Sequence, residues 1–404
     1  MALPPLSPEQ QIKPRFFEGR MSLVYFAIFF PVGVHVPYFP LWLESVGFDA
    51  AQIGIILAAP QFVRLLTTHY ITSFADRASD RAHVAVTVIA ATLLISAGYF
   101  LTPAYWVVLL VSVVIHIFWS PHTPLVDSIA LSGVRRFGSS YPSMRIWGSI
   151  AFMAGSYAAG VILSFTSPAA IPWIIFTGLF VALAASVFLP RLGRPRQASA
   201  LSVAELQTAA PSLLTRNFLL LVAGAGIIHS SHSYLFSFGS IYWTSIGISD
   251  AVIGAFWAFA VLAEICMFLV FTRVFAKVRN TTILLIAGVA AITRWVFFPL
   301  IWGSGVGIAG FFASQALHSF STALILLGVQ KIIAESVGEE RTGAAQGIAF
   351  VANSIAFALV TLASGPIYQQ LGVNGFFLMA VVALIGMICV ALAAASAPQR
   401  AIGR

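Results

Sequence analysis

Residues 43–54 read LESVGFDAAQIG and residues 243–254 read WTSIGISDAVIG. Ser45, Gly47, Ala51, Ile53 and Gly54 recur as Ser245, Gly247, Ala251, Ile253 and Gly254, each at an offset of 200 residues. Both blocks lie between two long apolar stretches. Asp49 in the first, and Ser249 or Asp250 in the second, are placed to cap the helix that follows. A block met twice at one spacing, each time joining two apolar stretches, predicts a chain built from two parallel internal repeats.

The surrounding sequence decides what those stretches are. Of 404 residues, 59% are hydrophobic and 8% charged. Soluble domains carry roughly 25% charged residues, so this chain lacks the polar surface to face water, and lipid is the solvent that fits. Backbone groups in lipid must be satisfied internally, which leaves helices or a closed barrel. The apolar runs are long and continuous and lack strand-like alternation, so the spans are helices, each needing about 20 apolar residues. Twelve are predicted, over residues 21–45, 50–74, 82–101, 104–133, 141–165, 169–190, 216–246, 250–272, 280–301, 305–333, 341–369 and 373–395. Pro31, Pro37 and Pro40 in span 1, and Pro121 and Pro124 in span 4, are expected to kink their helices. The expected fold is an all-α membrane protein of 12 transmembrane helices in two parallel-repeat six-helix bundles, 21–190 and 216–396. A tail at 1–20, a linker at 191–215 rich in Pro, Ser, Ala and Arg, and a tail at 397–404 complete it.

Charge sets the orientation. Lys13, Arg15 and Arg20 precede span 1, while Arg77, Arg81, Arg135, Arg136, Arg191, Arg194, Arg196, Arg216, Arg273, Lys277, Arg279, Arg341, Arg400 and Arg404 fall in even-numbered loops or the C-terminal tail. The opposite loops carry Glu44, Asp49 and Asp250 and no Lys or Arg. By the positive-inside rule both termini are cytoplasmic, in a bacterial-type inner membrane. The formal charge of +8 thus serves topology and implies no nucleic-acid partner. Nothing before Met21 has the apolar core and cleavage site of a signal peptide, so span 1 is expected to be retained. Cys266 and Cys389 fall within spans, so no disulfide framework is expected.

The ionisable residues inside the spans carry the function. His35, Arg64, His229, His232, Glu264, Arg294 and His318 lie roughly 13 to 16 residues into their spans, which at about 1.5 Å per residue places them in one mid-bilayer layer. Such groups are costly in lipid and face a cavity or a partner. Arg64 and Glu264 are themselves 200 residues apart, so the repeat sets a cation in one half against an acid in the other. A static ion pair is the competing reading. Glu264 is the one carboxylate found at this depth. Burial favours the neutral form of a carboxyl and a neighbouring arginine its charged form, so a group between those pressures can take up and release a proton. His318 either extends that proton path or bonds a backbone carbonyl. The histidines find no thiolate pair or acidic cluster that would complete a metal site. Asp127 and Arg145, near the ends of spans 4 and 5, are expected face to face, as a gate or as substrate ligands. Lys331 and Glu335 are read as a latch. Trp257 is placed to face the Glu264 cavity or else to pack against neighbours.

At Val63-Arg64, Asp127-Ser128-Ile129-Ala130, Arg145-Ile146-Trp147-Gly148-Ser149, His232, Ile241-Tyr242-Trp243, Ala263-Glu264, Arg294-Trp295 and Leu317-His318 the chain resembles the phenylpropionate permease family of the major facilitator superfamily, a relative of the lactose permease group. The resemblance implies twelve spans, alternating access and proton symport. It implies that Asp127 and Arg145, eighteen residues apart, bind substrate, and that Glu264, Arg294 and His318 stand for the lactose group's span-8 acid, span-9 arginine and span-10 histidine. The pattern departs at Gln315-x-x-His318-x-x-Ser321, where the lactose group has Lys-x-x-His-x-x-Glu. Proton duty then shifts to Glu264. The superfamily's Gly- and Arg-rich loop after span 2 is reduced to Asp76-Arg77 and Arg81.

Arg64, Arg145 and Arg294 outnumber Asp127 and Glu264 by one charge. An unpaired buried arginine is expensive, and a carboxylate substrate can supply the anion bidentately. The sequence therefore predicts a proton-coupled symporter of an aromatic carboxylate such as phenylpropionate. Glu264 and His318 are assigned to proton coupling. Arg294, Arg145, Asp127, Arg64, His35, His232, Trp257 and Gln315 are assigned to substrate. A sugar or nucleoside symporter, or an exporter of the same fold, is the alternative. No enzyme motif is found. The expected partners are a small-molecule substrate, protons and the bilayer, with no cofactor beyond the proton gradient, acting as a monomer.

Overall fold

The computed structural model describes residues 11–193, 215–336 and 342–396. Most of the expected linker, both chain ends and Arg194, Arg196, Arg341, Arg400 and Arg404 lie outside the described residues. The helices are α1 (Phe17–Ser45), α2 (Ala50–Arg77), α3 (Arg81–Ser96), α4 (Tyr105–Trp119), α5 (His122–Phe137), α6 (Tyr141–Leu163) and α7 (Ile171–Ser186). They continue as α8 (Arg216–Ser230), α9 (Ser233–Ser245), α10 (Asp250–Val274), α11 (Asn280–Phe297), α12 (Ile308–His318), α13 (Leu324–Ser336), α14 (Thr342–Leu371) and α15 (Gly375–Ser396). Eleven stretches among the described residues are long and apolar enough to cross a bilayer. The last runs from Thr342 to Ser396, and its 55 residues would extend far beyond the ~30 Å of hydrocarbon as one helix. A 3₁₀ turn at Gly372–Asn374 divides it, with Gly372 at φ 52°, into two crossings. The fold is that of a multi-pass, twelve-helix membrane protein.

Three predicted spans are not single helices. Span 4 breaks between α4 and α5, where Pro121 has no N–H to give the preceding turn. Span 7 breaks at Ser231–His232 between α8 and α9. Span 10 carries a π-helical segment, Ser319–Ala323, between α12 and α13. Proline explains the first break. The other two fall on polar residues that bond across the bundle, described below. Pro31, Pro37 and Pro40 stay within an uninterrupted α1.

The quoted blocks are two copies of one turn. Gly47 and Gly247 take φ of 95° and 82°, the left-handed region that lets a helix end abruptly. In each copy the glycine N–H bonds the carbonyl three residues back, Glu44 or Thr244, and the next N–H reaches Leu43 or Trp243. Asp49 then opens α2 with a reciprocal capping box to Gln52.

Contacts divide the chain into two compact units. The first holds the described residues up to 193 together with Phe236–Ala258, and the second holds 215–235 and the described residues from 259 onward. Within the first, α1 packs along α6 and α7, and α3 along α7. Within the second, α8 packs along α14 and α15, and α11 along α15. Each unit therefore repeats the same pairings of its first, third, fifth and sixth spans, as the sequence repeat requires. Basic side chains also hold the segment that follows α7: Arg20 Nε donates to the Phe188 carbonyl at 2.6 Å and Arg136 to Leu192 at 2.7 Å.

Candidate functional site

In the second unit, α10, α11 and α12 bring Glu264, Arg294, Gln315 and His318 together. The Arg294 guanidinium donates to Ser314 Oγ at 3.3 Å, to His318 Nδ1 at 2.8 Å and to Gln315 Oε1. It lies over the Trp295 ring, 4.6 Å from its centroid, and is 1% exposed. An arginine only donates, so His318 Nδ1 must be its lone-pair nitrogen. The imidazole proton then sits on Nε2, which faces Glu264 Oε1 at 3.3 Å. The order Arg294, His318, Glu264 is thus a directional chain of donors ending on a carboxylate. While Arg294 occupies Nδ1, His318 has nowhere to hold a second proton. Glu264 is the carboxylate at the end of the chain, and its side chain is 21% exposed where Arg294 is enclosed.

The π segment extends the array. Ser321 Oγ lies 2.8 Å from His232 Nε2, and His232 Nδ1 lies 3.0 Å from the His229 carbonyl. A carbonyl only accepts, so His232 carries its proton on Nδ1 and takes Ser321's hydroxyl at Nε2. The extra residue of a π turn rotates Ser321 into this bond, and such bulges concentrate at functional sites. Ser231, in the α8–α9 break, accepts from Trp295 Nε1 at 2.8 Å. Both breaks in helical regularity therefore hold polar bonds to the Arg294 region.

The first unit holds two further constellations. Asp127 and Arg145 are expected to face each other, yet among the described residues no ion pair joins them. Asp127 Oδ1 instead accepts from Tyr25 at 2.5 Å and Tyr141 at 3.0 Å. Arg145 lies over the rings of Phe29, at 4.3 Å, and Tyr25, at 5.8 Å. Two phenols reach the carboxylate and leave the guanidinium to the aromatic faces, so Tyr25 is the group the two residues share. Deeper in the unit, His35 stacks on Phe39, 4.5 Å between centroids, and meets His116 and Trp119 edge-on at 5.4 and 5.1 Å. Arg64, from α2, lies within electrostatic reach of His116.

Trp257 is spent on packing: its Nε1 donates to Ser240 at 3.1 Å and its ring meets Phe236 and Trp243. Nearby, the Tyr38 hydroxyl is shared between the carbonyls of Asp250, at 3.0 Å, and Ser156, at 3.2 Å. Lys331 does not act chiefly through Glu335, 3.9 Å away on the same helix; it caps the carbonyls of Val278 at 2.8 Å and Ala276 at 3.0 Å. Tyr25, Tyr38, Tyr141, Ser314 and Ser321 are the polar contacts that residue depth alone does not reveal. The one signal for the last two is the cluster of hydroxyls from Ser314 to Thr322 in an otherwise apolar span.

A multi-pass helical fold with ionisable groups buried among its spans is the setting of a membrane transporter. The chain matches the crystal structure of nucleoside transporter NupG with a TM-score of 0.73, covering 94% of this chain and 98% of that one at 14% identity. Residues 19–393 match the MFS_1 like family, and the chain belongs to that family. It is 29% identical over 371 residues to a "Probable 3-phenylpropionic acid transporter" of Escherichia coli (strain K12), covering 91% of this chain and 95% of that protein. It is 27% identical over 304 residues to a "Maltose permease" of Geobacillus stearothermophilus, covering 71% and 75%. The protein is a secondary transporter of a small-molecule solute and not an enzyme.

Proposed function

We propose that the protein carries a small organic carboxylate, of the arylalkanoate class, into the cell by proton symport and alternating access. It works as a monomer in the inner membrane with both termini cytoplasmic. The observation that carries the reading is the donor chain Arg294 to His318 to Glu264. A charged Glu264 accepts the Nε2 proton of His318. A protonated Glu264 loses that acceptor geometry, so its protonation state is felt at Arg294, 1% exposed and bonded on every nitrogen. A coupling device needs such a link between a titratable group and a packed helix crossing. The relative described as a 3-phenylpropionic acid transporter supports the substrate class, and the arginines crowding loops of one parity support the orientation.

Purified protein in proteoliposomes tests this. Arylalkanoate uptake should follow an imposed inward proton gradient. Glu264→Gln should abolish gradient-driven accumulation while leaving substrate counterflow intact. Counterflow lost together with accumulation would make Glu264 a structural partner and refute the coupling role.

Symport of a neutral sugar or nucleoside is the second reading. A cavity of about 280 Å³ in the second unit has a mostly apolar wall that also carries His229 and four uncharged hydrogen-bonding groups, Thr322, Gln330, Gln346 and Asn353. Uptake of sugars but not carboxylates would favour it.

A further inference from the structure

We infer that Arg64, His35 and Gln61 in the first unit form the subsite that binds the substrate's carboxylate, in place of Arg294. The inference rests on the carboxylate reading above and assigns its anchor. The sequence offers both arginines for this duty, and the structure separates them. All three nitrogens of Arg294 are bonded to protein atoms. Arg64, about 21 Å along α2 from its start, makes no ion pair or hydrogen bond with any described residue, and its Nε is buried without a partner.

Two more polar atoms nearby have no hydrogen-bond partner. His35 Nε2 is buried and unbonded, and so is the Gln61 side-chain oxygen, one helical turn before Arg64. The amide's oxygen and nitrogen are interchangeable by rotation, so Gln61 offers either a donor or an acceptor. His116 ties the group together. Its ring touches His35 and lies within reach of Arg64's charge, while its Nδ1 is fixed by the Ser112 carbonyl at 2.8 Å. A cation without an anion and two unmet polar atoms in one mid-membrane cluster are a standing cost of folding. A carboxylate removes it: one oxygen takes the Arg64 N–H groups, and the other takes a proton donor from His35 or Gln61. The adjoining rings of Phe39 and Trp119 form an apolar wall beside this charge, which suits an acid with a short apolar body.

The test measures binding rather than transport, with no gradient present. The full-length protein in detergent is titrated with 3-phenylpropionate and a panel of other small monocarboxylates, each alongside its neutral amide. The wild type should prefer the acids. Arg64→Gln should weaken acid binding by about 10- to 100-fold, the worth of charge-assisted hydrogen bonds, and weaken amide binding far less, so that the preference for acids is lost. Arg64→Lys should lose less. Because Arg64→Gln removes an unpaired cation, the apo protein should melt no lower than wild type while losing its stabilisation by acids. A merely structural arginine would show the reverse. If Arg64→Gln keeps the preference for acids over amides, this assignment is overturned and the transport reading stands. If the wild type binds no carboxylate of the panel, both fall together.

Discussion

Replacing Gln315 by leucine removes one acceptor from a guanidinium that is 1% exposed. Hydrogen bonds to charged groups are worth about 1.5–3 kcal/mol, and a buried donor left unmet adds its own desolvation cost, so the expected loss is about 2–4 kcal/mol. For a unit of this size that corresponds to a fall of roughly 4–16 °C in the unfolding midpoint. Tryptophan emission in a thermal ramp reads it directly, because Trp295 stacks on Arg294. The decisive variant is the double one. Arg294→Met with Gln315→Leu removes donor and acceptor together. Thr322 Oγ1, 3.3 Å from His318 Nδ1, remains to donate to the imidazole. Taking out both members of a buried polar pair is close to neutral, so the double variant should regain at least half of the lost stability. Gln315→Leu melting within about 1 °C of wild type, or a double variant that melts below the single one, would refute the claim that Arg294 is a satisfied structural cation.

Ser321→Ala should destabilise the second unit by about 1–3 kcal/mol, since it leaves His232 Nε2 without its hydroxyl; an unchanged melting curve would make the π-segment bond dispensable. Gly254→Val should disturb the packing around Tyr38, because a Cβ there would lie 2.7 Å from the Tyr38 hydroxyl and press on the Ser156 carbonyl. Overpacking of about 1–3 kcal/mol would shift the contact's population by roughly 5- to 150-fold. A cysteine at Ala159, fully buried here, in a background lacking Cys266 and Cys389, should then react with an impermeant thiol reagent applied at the Gly47 and Gly247 turns. Unaltered labelling would show that the packing around Tyr38 does not shield Ala159.

What the sequence makes legible is what short-range rules govern. Gly47 and Gly247 announce left-handed helix ends because side chains resist that conformation, and Asp49 announces its cap. Depth along the spans is equally local, so Glu264, Arg294 and His318 are placed in one layer by counting. Which bonds form within a layer depends on rotation about the helix axes and on competitors that counting does not rank. Asp127 goes to two tyrosines because their hydroxyls arrive at 2.5 and 3.0 Å. The π segment at Ser319–Ala323 is illegible for a related reason: the extra residue in its turn goes with a bond from Ser321 to His232, 89 residues away in the sequence. Of the two roles expected of Trp257, packing is the one its bond to Ser240 shows, and counting does not name that partner.

The grip of Arg294 on His318 Nδ1 bears on leakage. A carrier living across a voltage must not let hydrogen ions trickle through unaccompanied by cargo. An imidazole relays them only when one ring nitrogen gains as the other gives up, and here one of the two is occupied by the Arg294 guanidinium. On the symport reading proposed above, a proton taken up at Glu264 would halt there until helix movement withdrew the arginine, and an idle molecule would be insulated by its own wiring.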